Sequence, residues 1–169
     1  LQIIISDSSC LIDLQKASLL EAFVRLPYDV CVPDVIFESE LISFSTQEKN
    51  ALQELGLRIL ELPGDGILSV QNLRREKSAL SVNDCFACII AQRNAGSILL
   101  TGDGALRATS EARGIRVHGI LWCIDEIHIA QTATIRQLYD ALVMFESDST
   151  VRLPKSDLTR FTRKYGDLL

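Results

Sequence analysis

Four acidic positions, far apart in the chain, are the residues best placed to do chemistry: Asp7, Glu40 (with Glu38 as its alternative), Asp84 and Asp103. Asp7 lies just after the apolar run Ile3-Ile4-Ile5. Asp103 lies just after Ile98-Leu99-Leu100, beyond Thr101 and Gly102. If these runs are parallel strands, residues beyond their C-terminal ends face the ligand crevice of an open α/β sheet. Glu38 and Glu40 fall on the helical pattern after Val30-Cys31-Val32, and Asp84 opens an apolar helical pattern over 82–94. Four carboxylates from four elements can therefore converge at one end of a sheet. Crowded like charges raise one another's pKa, and a bound divalent cation reverses that shift. Ligation by oxygen alone suits Mg²⁺ or Mn²⁺ better than zinc. Such a site clamps a phosphodiester, lowers the pKa of the attacking water and stabilises the leaving 3′-oxygen.

Each acid also has a purely local reading. Asp7 fits a helix N-cap before Ser8–Leu14. Ser81-x-x-Asp84 resembles a capping box, although Glu or Gln is the usual third residue. Asp103, between two glycines, fits a turn. Glu38 and Glu40 fit a solvated helix face. The conjunction carries more information than any member, because unrelated caps need not fall at one sheet edge.

Strand-like and helical patterns alternate along the elements that must position these groups. Continuous apolar runs at 3–5, 30–32 and 98–100 read as strands covered on both faces. Alternating Leu57–Leu62 and the run Ile115–Val117 read as two more. Helical spacing covers Leu11–Val24 with a break near Ala17-Ser18, then 34–44, 46–55, 67–78, 82–94 and the stretch from Gly104 through Arg113. Further helices are expected over about 120–130 and 134–146, with a last short one after Pro154. Gly56 is the expected C-cap of 46–55, and Pro63-Gly64-Asp65-Gly66 reads as a turn cluster. Strands alternating with helices imply a parallel sheet with helices on both faces.

Composition narrows the function classes. A chain of 169 residues with 47% hydrophobic content suits one folded domain. No apolar run approaches the roughly 18 residues needed to span a bilayer. Leu1–Ile5 is too short for a signal-peptide core. The five cysteines, Cys10, Cys31, Cys85, Cys88 and Cys123, sit among apolar residues. They read as buried reduced thiols in a cytoplasmic protein. Cys85-x-x-Cys88 has no second pair and no paired histidines to complete a zinc site. The net charge of −5 argues against nonspecific nucleic-acid binding, but less so if several acids hold a cation. Residues 151–169 are locally basic, with Arg152, Lys155, Arg160, Arg163 and Lys164 against Asp157 and Asp167. That face is either simply solvated or tracks a phosphate backbone. No nucleophilic Ser elbow, Cys-His pair, P-loop or GxGxxG fingerprint is present.

Four blocks, in order and spacing, resemble PIN domains. Ser6-Asp7-Ser8-Ser9-Cys10-Leu11-Ile12-Asp13-Leu14 is similar to their opening, an Asp after strand one followed by a small hydroxyl residue and an apolar helix. Val32-Pro33-Asp34-Val35-Ile36-Phe37-Glu38-Ser39-Glu40-Leu41 resembles the second motif, a Pro followed by an apolar helix bearing a Glu. Leu80-Ser81-Val82-Asn83-Asp84-Cys85-Phe86-Ala87 resembles the third. Leu99-Leu100-Thr101-Gly102-Asp103-Gly104-Ala105-Leu106 resembles the fourth and most specific. The blocks span about residues 2–120.

The resemblance implies a three-layer α/β/α sandwich with a central, mainly parallel sheet. It implies Mg²⁺- or Mn²⁺-dependent RNA cleavage, with Asp7, Asp84 and Asp103 as metal ligands and Thr101 as a supporting hydroxyl. The second motif departs from the family pattern, because the usual Glu position is occupied by Ser39. Glu40 is the first choice and Glu38 the second. In size the chain resembles bacterial VapC-like toxins, which implies an antitoxin partner and a homodimer. The expected layout is a PIN-like nuclease domain over 1–150, with 151–169 a basic extension packed on it. Arg74, Arg75, Arg107 and Arg113 are candidate phosphate contacts. Two functions compete: an endoribonuclease, as the toxin of a toxin–antitoxin pair, and a catalytically degenerate binding or assembly module. A phosphotransfer domain is disfavoured, because Asp7-Ser8-Ser9 is not a DxD nucleophile pair.

Overall fold

Three consecutive isoleucines form β1 (Ile3–Ser6), and with Ile4 and Ile5 fully buried this strand can only sit inside a sheet covered on both faces. The computed structural model describes residues 1–169. β1 lies at the centre of a five-stranded sheet with β2 (Asp29–Pro33), β3 (Arg58–Leu60), β4 (Ile98–Leu100) and β5 (Arg116–His118). The strand order is β3-β2-β1-β4-β5, and every pairing is parallel. The sheet grows in one direction from β1 to β3 and then restarts on the other side with β4. The chain's topological switch point therefore lies between β1 and β4. Crossovers leaving these two strands must go to opposite faces, which opens a crevice beyond their C-terminal ends.

Helices α1 (Ser8–Lys16), α2 (Leu20–Val24), α4 (Thr46–Leu55) and α8 (Ile120–Ala130) pack together on one face. Helices α5 (Gly64–Glu76), α6 (Val82–Arg93) and α7 (Gly104–Ala112) cover the other. The result is a three-layer α/β/α sandwich. Short α3 (Asp34–Ser39) follows β2, and α9 (Ile135–Ser147) packs on α8. Along α9 lies α10 (Lys155–Asp167). Val151, Leu158, Phe161 and Tyr165 join the same apolar cluster as the sheet residues. No helix is long and apolar enough to cross a membrane.

Most element boundaries follow the sequence pattern, and the departures have local causes. The helix expected over 34–44 ends at Ser39, because Leu41 and Phe44 turn inward and are buried. Leu41 N–H closes a wide turn on the Ile36 carbonyl at 3.2 Å. The expected turn at 63–66 is instead the start of α5, with Pro63 as its N-cap and Gly64 its first residue. Pro fixes φ where a helix must begin and lacks only an N–H that would be unsatisfied there. The last helix is not short. It runs 13 residues, as long as α9, because Leu158, Phe161 and Tyr165 give it a buried stripe. Two of the breaks that rest on a left-handed residue are Ser18 (φ 57°), which follows α1, and Gly56 (φ 118°), which caps α4, both where the pattern put them. All five cysteines are free and buried, and burial pushes the Cys31 thiol up to about 12 and that of Cys85 to about 11. All five pack within the apolar core.

Candidate active site

The pairing register decides which side chains meet. Ser6 of β1 stands opposite Leu100 of β4, so Asp7 and Thr101 leave the sheet side by side. Asp7 N–H donates to the Leu100 carbonyl at 3.0 Å, and Thr101 N–H to the His118 carbonyl at 3.0 Å, which extends both ladders by one residue. Asp7 then caps α1: its Oδ1 accepts from Ser9 N–H at 3.1 Å and Cys10 N–H at 3.4 Å. Ser9 Oγ donates to the same oxygen at 2.7 Å and accepts from Gly102 N–H at 3.4 Å. The fully buried Thr101 donates its hydroxyl to Asp7 Oδ2 and accepts from Asp103 N–H at 3.0 Å. Two hydroxyls therefore tie the first acid to the backbone carrying the last.

The other acids are held by the same kind of local bond. Asp103 caps α7 through Leu106 N–H at 2.8 Å. Asp84 and Ser81 form a reciprocal capping box at the start of α6, with bonds of 2.8 and 3.0 Å. Glu40, the C-cap of α3, accepts from the Asn83 amide at 2.9 Å. Asp7, Glu40, Asp84 and Asp103 all line one cleft of about 400 Å³ at the C-terminal edge of the sheet. Glu38 is exposed and does not line it. Nor do Arg74, Arg75, Arg107 or Arg113. Arg113 pairs with Glu76 and Gln92 elsewhere, and Arg107 pairs with Glu111 at 3.5 Å. The two cations that do reach the cleft are Lys16 and Arg152.

Burial holds the Asp7 carboxyl up at about 6, against the pull of its hydrogen bonds, with the charge of Asp84 adding to the rise. Asp84 is also raised, first by burial and then by the charges of Asp103 and Glu40. Asp13, on the cleft-facing side of α1, is pushed up to about 6 by burial and by Asp148, against the pull of Lys16. The N-termini of α1, α6 and α7 meet here, and their partial positive charge offsets part of the repulsion.

The donor chemistry fits a hard divalent cation. Five carboxylates and several hydroxyls line the cleft, with no thiol or imidazole. Asp84 Oδ1, Asp103 Oδ2 and Glu40 Oε2 accept no hydrogen bond from the protein, which leaves each free for a ligand. No three His, Cys, Asp or Glu side chains stand close enough together to form a ready-made cage. The sequence pattern does not single out Asp13, Lys16 or Thr150, and it places Arg152 only within a basic tail. The available signal for Asp13 was one acid inside the apolar stretch Cys10–Leu14, four residues from Ser9 on the same helix face.

The chain is a three-layer α/β/α sandwich whose switch point opens onto an acidic, oxygen-lined cleft. The chain belongs to the PIN-domain family, whose model matches residues 3–167. The matched span includes all four acids, Thr101 and Arg152, and reaches well past the four sequence blocks. PIN domains are typically nucleases, so this is a nuclease fold. Among curated proteins, none matches the chain.

Proposed function

We propose that this protein is an endoribonuclease that hydrolyses RNA phosphodiester bonds, with Mg²⁺ or Mn²⁺ held by Asp7, Glu40, Asp84 and Asp103. One observation carries the reading: these four acids, from four separate elements, line a single cleft beside the β1–β4 switch point. A hard cation bound there would lower the pKa of an attacking water and stabilise the leaving oxygen. The chain's own groups supply positioning. Thr101 and Ser9 fix the Asp7 carboxylate from both sides. The Ser81 capping box orients Asp84, and Asn83 draws Glu40 toward the start of α6. Three helix N-termini favour a phosphate over a neutral ligand.

Cleavage of RNA by wild type and by Asp103→Asn, each with Mg²⁺, Mn²⁺ or EDTA, tests this. Asn keeps the cap to Leu106 but removes charge from the cleft. The expected result is metal-dependent cutting by wild type, stopped by EDTA and lost in the variant. Equal cutting by both proteins excludes the assigned site. No cutting by either, across several RNAs, turns the reading to a degenerate binding or assembly module. The finer reading is a cytoplasmic toxin, homodimeric and paired with an antitoxin. Its support is the resemblance of the four blocks, and relief of growth arrest by a co-expressed neighbouring small gene checks it.

A further inference from the structure

The acidic cleft poses an electrostatic difficulty for a polyanionic substrate, and the C-terminal segment supplies an answer. Arg152 lines the cleft and is the only arginine to do so. It forms no ion pair and no side-chain hydrogen bond, although Asp13, Glu40, Asp84 and Asp103 share the cleft with it. Its position is built. Val151 is buried and Leu153 packs against the core, so the residue between them is directed outward. Just before it, Asp148 closes a tight turn on Thr150, with Thr150 N–H and Oγ donating at 2.9 and 2.6 Å. Lys16, from the last turn of α1, pins that turn by donating to Thr150 Oγ at 2.7 Å and to Asp148 at 3.5 Å. A residue 145 positions from Asp7 in sequence is thereby brought to the same cleft.

Resting on the nuclease reading, we propose that Arg152 binds a backbone phosphate of single-stranded RNA next to the phosphate held at the acids. Lys16 and Thr150 act as positioning residues for it. Guanidinium suits the role because its planar fork matches two phosphate oxygens, and because an unpaired arginine loses no internal partner on binding. The phosphate also brings negative charge to the one cationic part of the cleft, away from the carboxylates.

The test is equilibrium binding of a fluorescein-labelled single-stranded RNA decamer across a salt series, in an Asp103→Asn background with Mg²⁺. Arg152→Gln is expected to weaken binding about tenfold. It should also reduce the steepness of log K against log salt by about 0.7, the share of one phosphate contact on a single strand. Arg152→Lys should restore the slope but only part of the affinity. Thr150→Val, which changes no charge, should weaken binding severalfold by loosening the turn. Arg113→Gln, on a distant face, serves as the unaffected control. Unchanged affinity and slope in Arg152→Gln overturns the proposal, as does a loss seen with RNA but absent with a DNA decamer of the same sequence. In the otherwise wild-type enzyme the expected signature of Arg152→Gln is a raised KM with little change in kcat. Cleavage that fails while Arg152-dependent binding persists overturns the nuclease reading and leaves this contact standing. Cleavage that proceeds with an unchanged slope does the reverse.

Discussion

Asp7 is a carboxyl that the fold buries against its preference for charge. It is 5% exposed, and its pKa rises from the ordinary 3.8 to about 6, which corresponds to about 3 kcal/mol against ionisation. The folded state therefore keeps its proton to a higher pH than the unfolded chain. Where the native state binds more protons, stability falls as pH rises. In metal-free protein, the stability should decline between about pH 4 and pH 6 and level off above. Asp13 and Asp84, also raised, add to the same trend. Asp7→Asn keeps an acceptor for Ser9 and Cys10 but removes the charge. It should stabilise the metal-free protein by about 1–3 kcal/mol at pH 7.5, flatten the decline, and abolish cleavage. Urea unfolding from pH 4 to 8 reads this directly, and a variant less stable than wild type at pH 7.5 contradicts it. The same residue shows why the site was partly legible in the sequence. Cap and ligand were competing readings of Asp7, Asp84 and Asp103, yet a cap bond is what aims each carboxylate. Glu38 against Glu40 was not legible, because the choice depends on where α3 stops. Arg152 carried no spacing signal at all, since only tertiary packing brings it to α1.

At the level of elements, the pattern located the strands and most helices, because a buried parallel strand needs a continuous apolar run and an amphipathic helix needs its stripe. It failed where composition and packing disagree. Pro63-Gly64-Asp65-Gly66 has the composition of a turn, but Gly66 lies in the first turn of α5 for a steric reason. A Cβ there would stand 2.5 Å from Leu62 Cγ and 2.7 Å from Cδ1. Gly64 meets nothing within 4 Å. The two glycines should therefore respond oppositely to alanine. Gly64→Ala should gain about 0.5–1 kcal/mol by restricting the unfolded chain. Gly66→Ala should lose about 1–2 kcal/mol, as overpacking outweighs the gain in helix propensity. Guanidinium midpoints of the two variants separate the cases, and stabilisation by both would mean that Leu62 yields freely. The same logic accounts for β3 and β5. Each is three residues long at a sheet edge, so the alternating run Leu57–Leu62 overstates the strand it contains.

Across the whole molecule, five of the 22 acidic residues line one cleft, and the fold brings them there from several separate elements. The sheet order brings β1 and β4 together, α6 and α7 present Asp84 and Asp103, and α10 is tied to α8 through Tyr165, whose hydroxyl donates to Asp125 at 2.7 Å. Folding alone creates the crowding, since an unfolded chain keeps these acids apart. A cation that binds the cleft therefore binds the native state preferentially, and its binding energy adds to folding stability. At a concentration 100 times its Kd, the gain is about 2.7 kcal/mol. For a chain of this length that amounts to a rise in Tm of about 5–10 °C. Calorimetry in EDTA and then in Mn²⁺ should show this rise at pH 7.5. A smaller rise is expected at pH 5, where Asp7 retains its proton and the cation must displace it. Asp103→Asn should remove most of the shift while keeping its α7 cap and its fold. Na⁺ at matched ionic strength distinguishes site binding from general screening, because screening by salt acts on all surface charges alike. An equal rise in Asp103→Asn and wild type would mean that the cation acts elsewhere on the acidic surface, and the four-carboxylate centre would lose its thermodynamic basis whatever the cleavage assay gave.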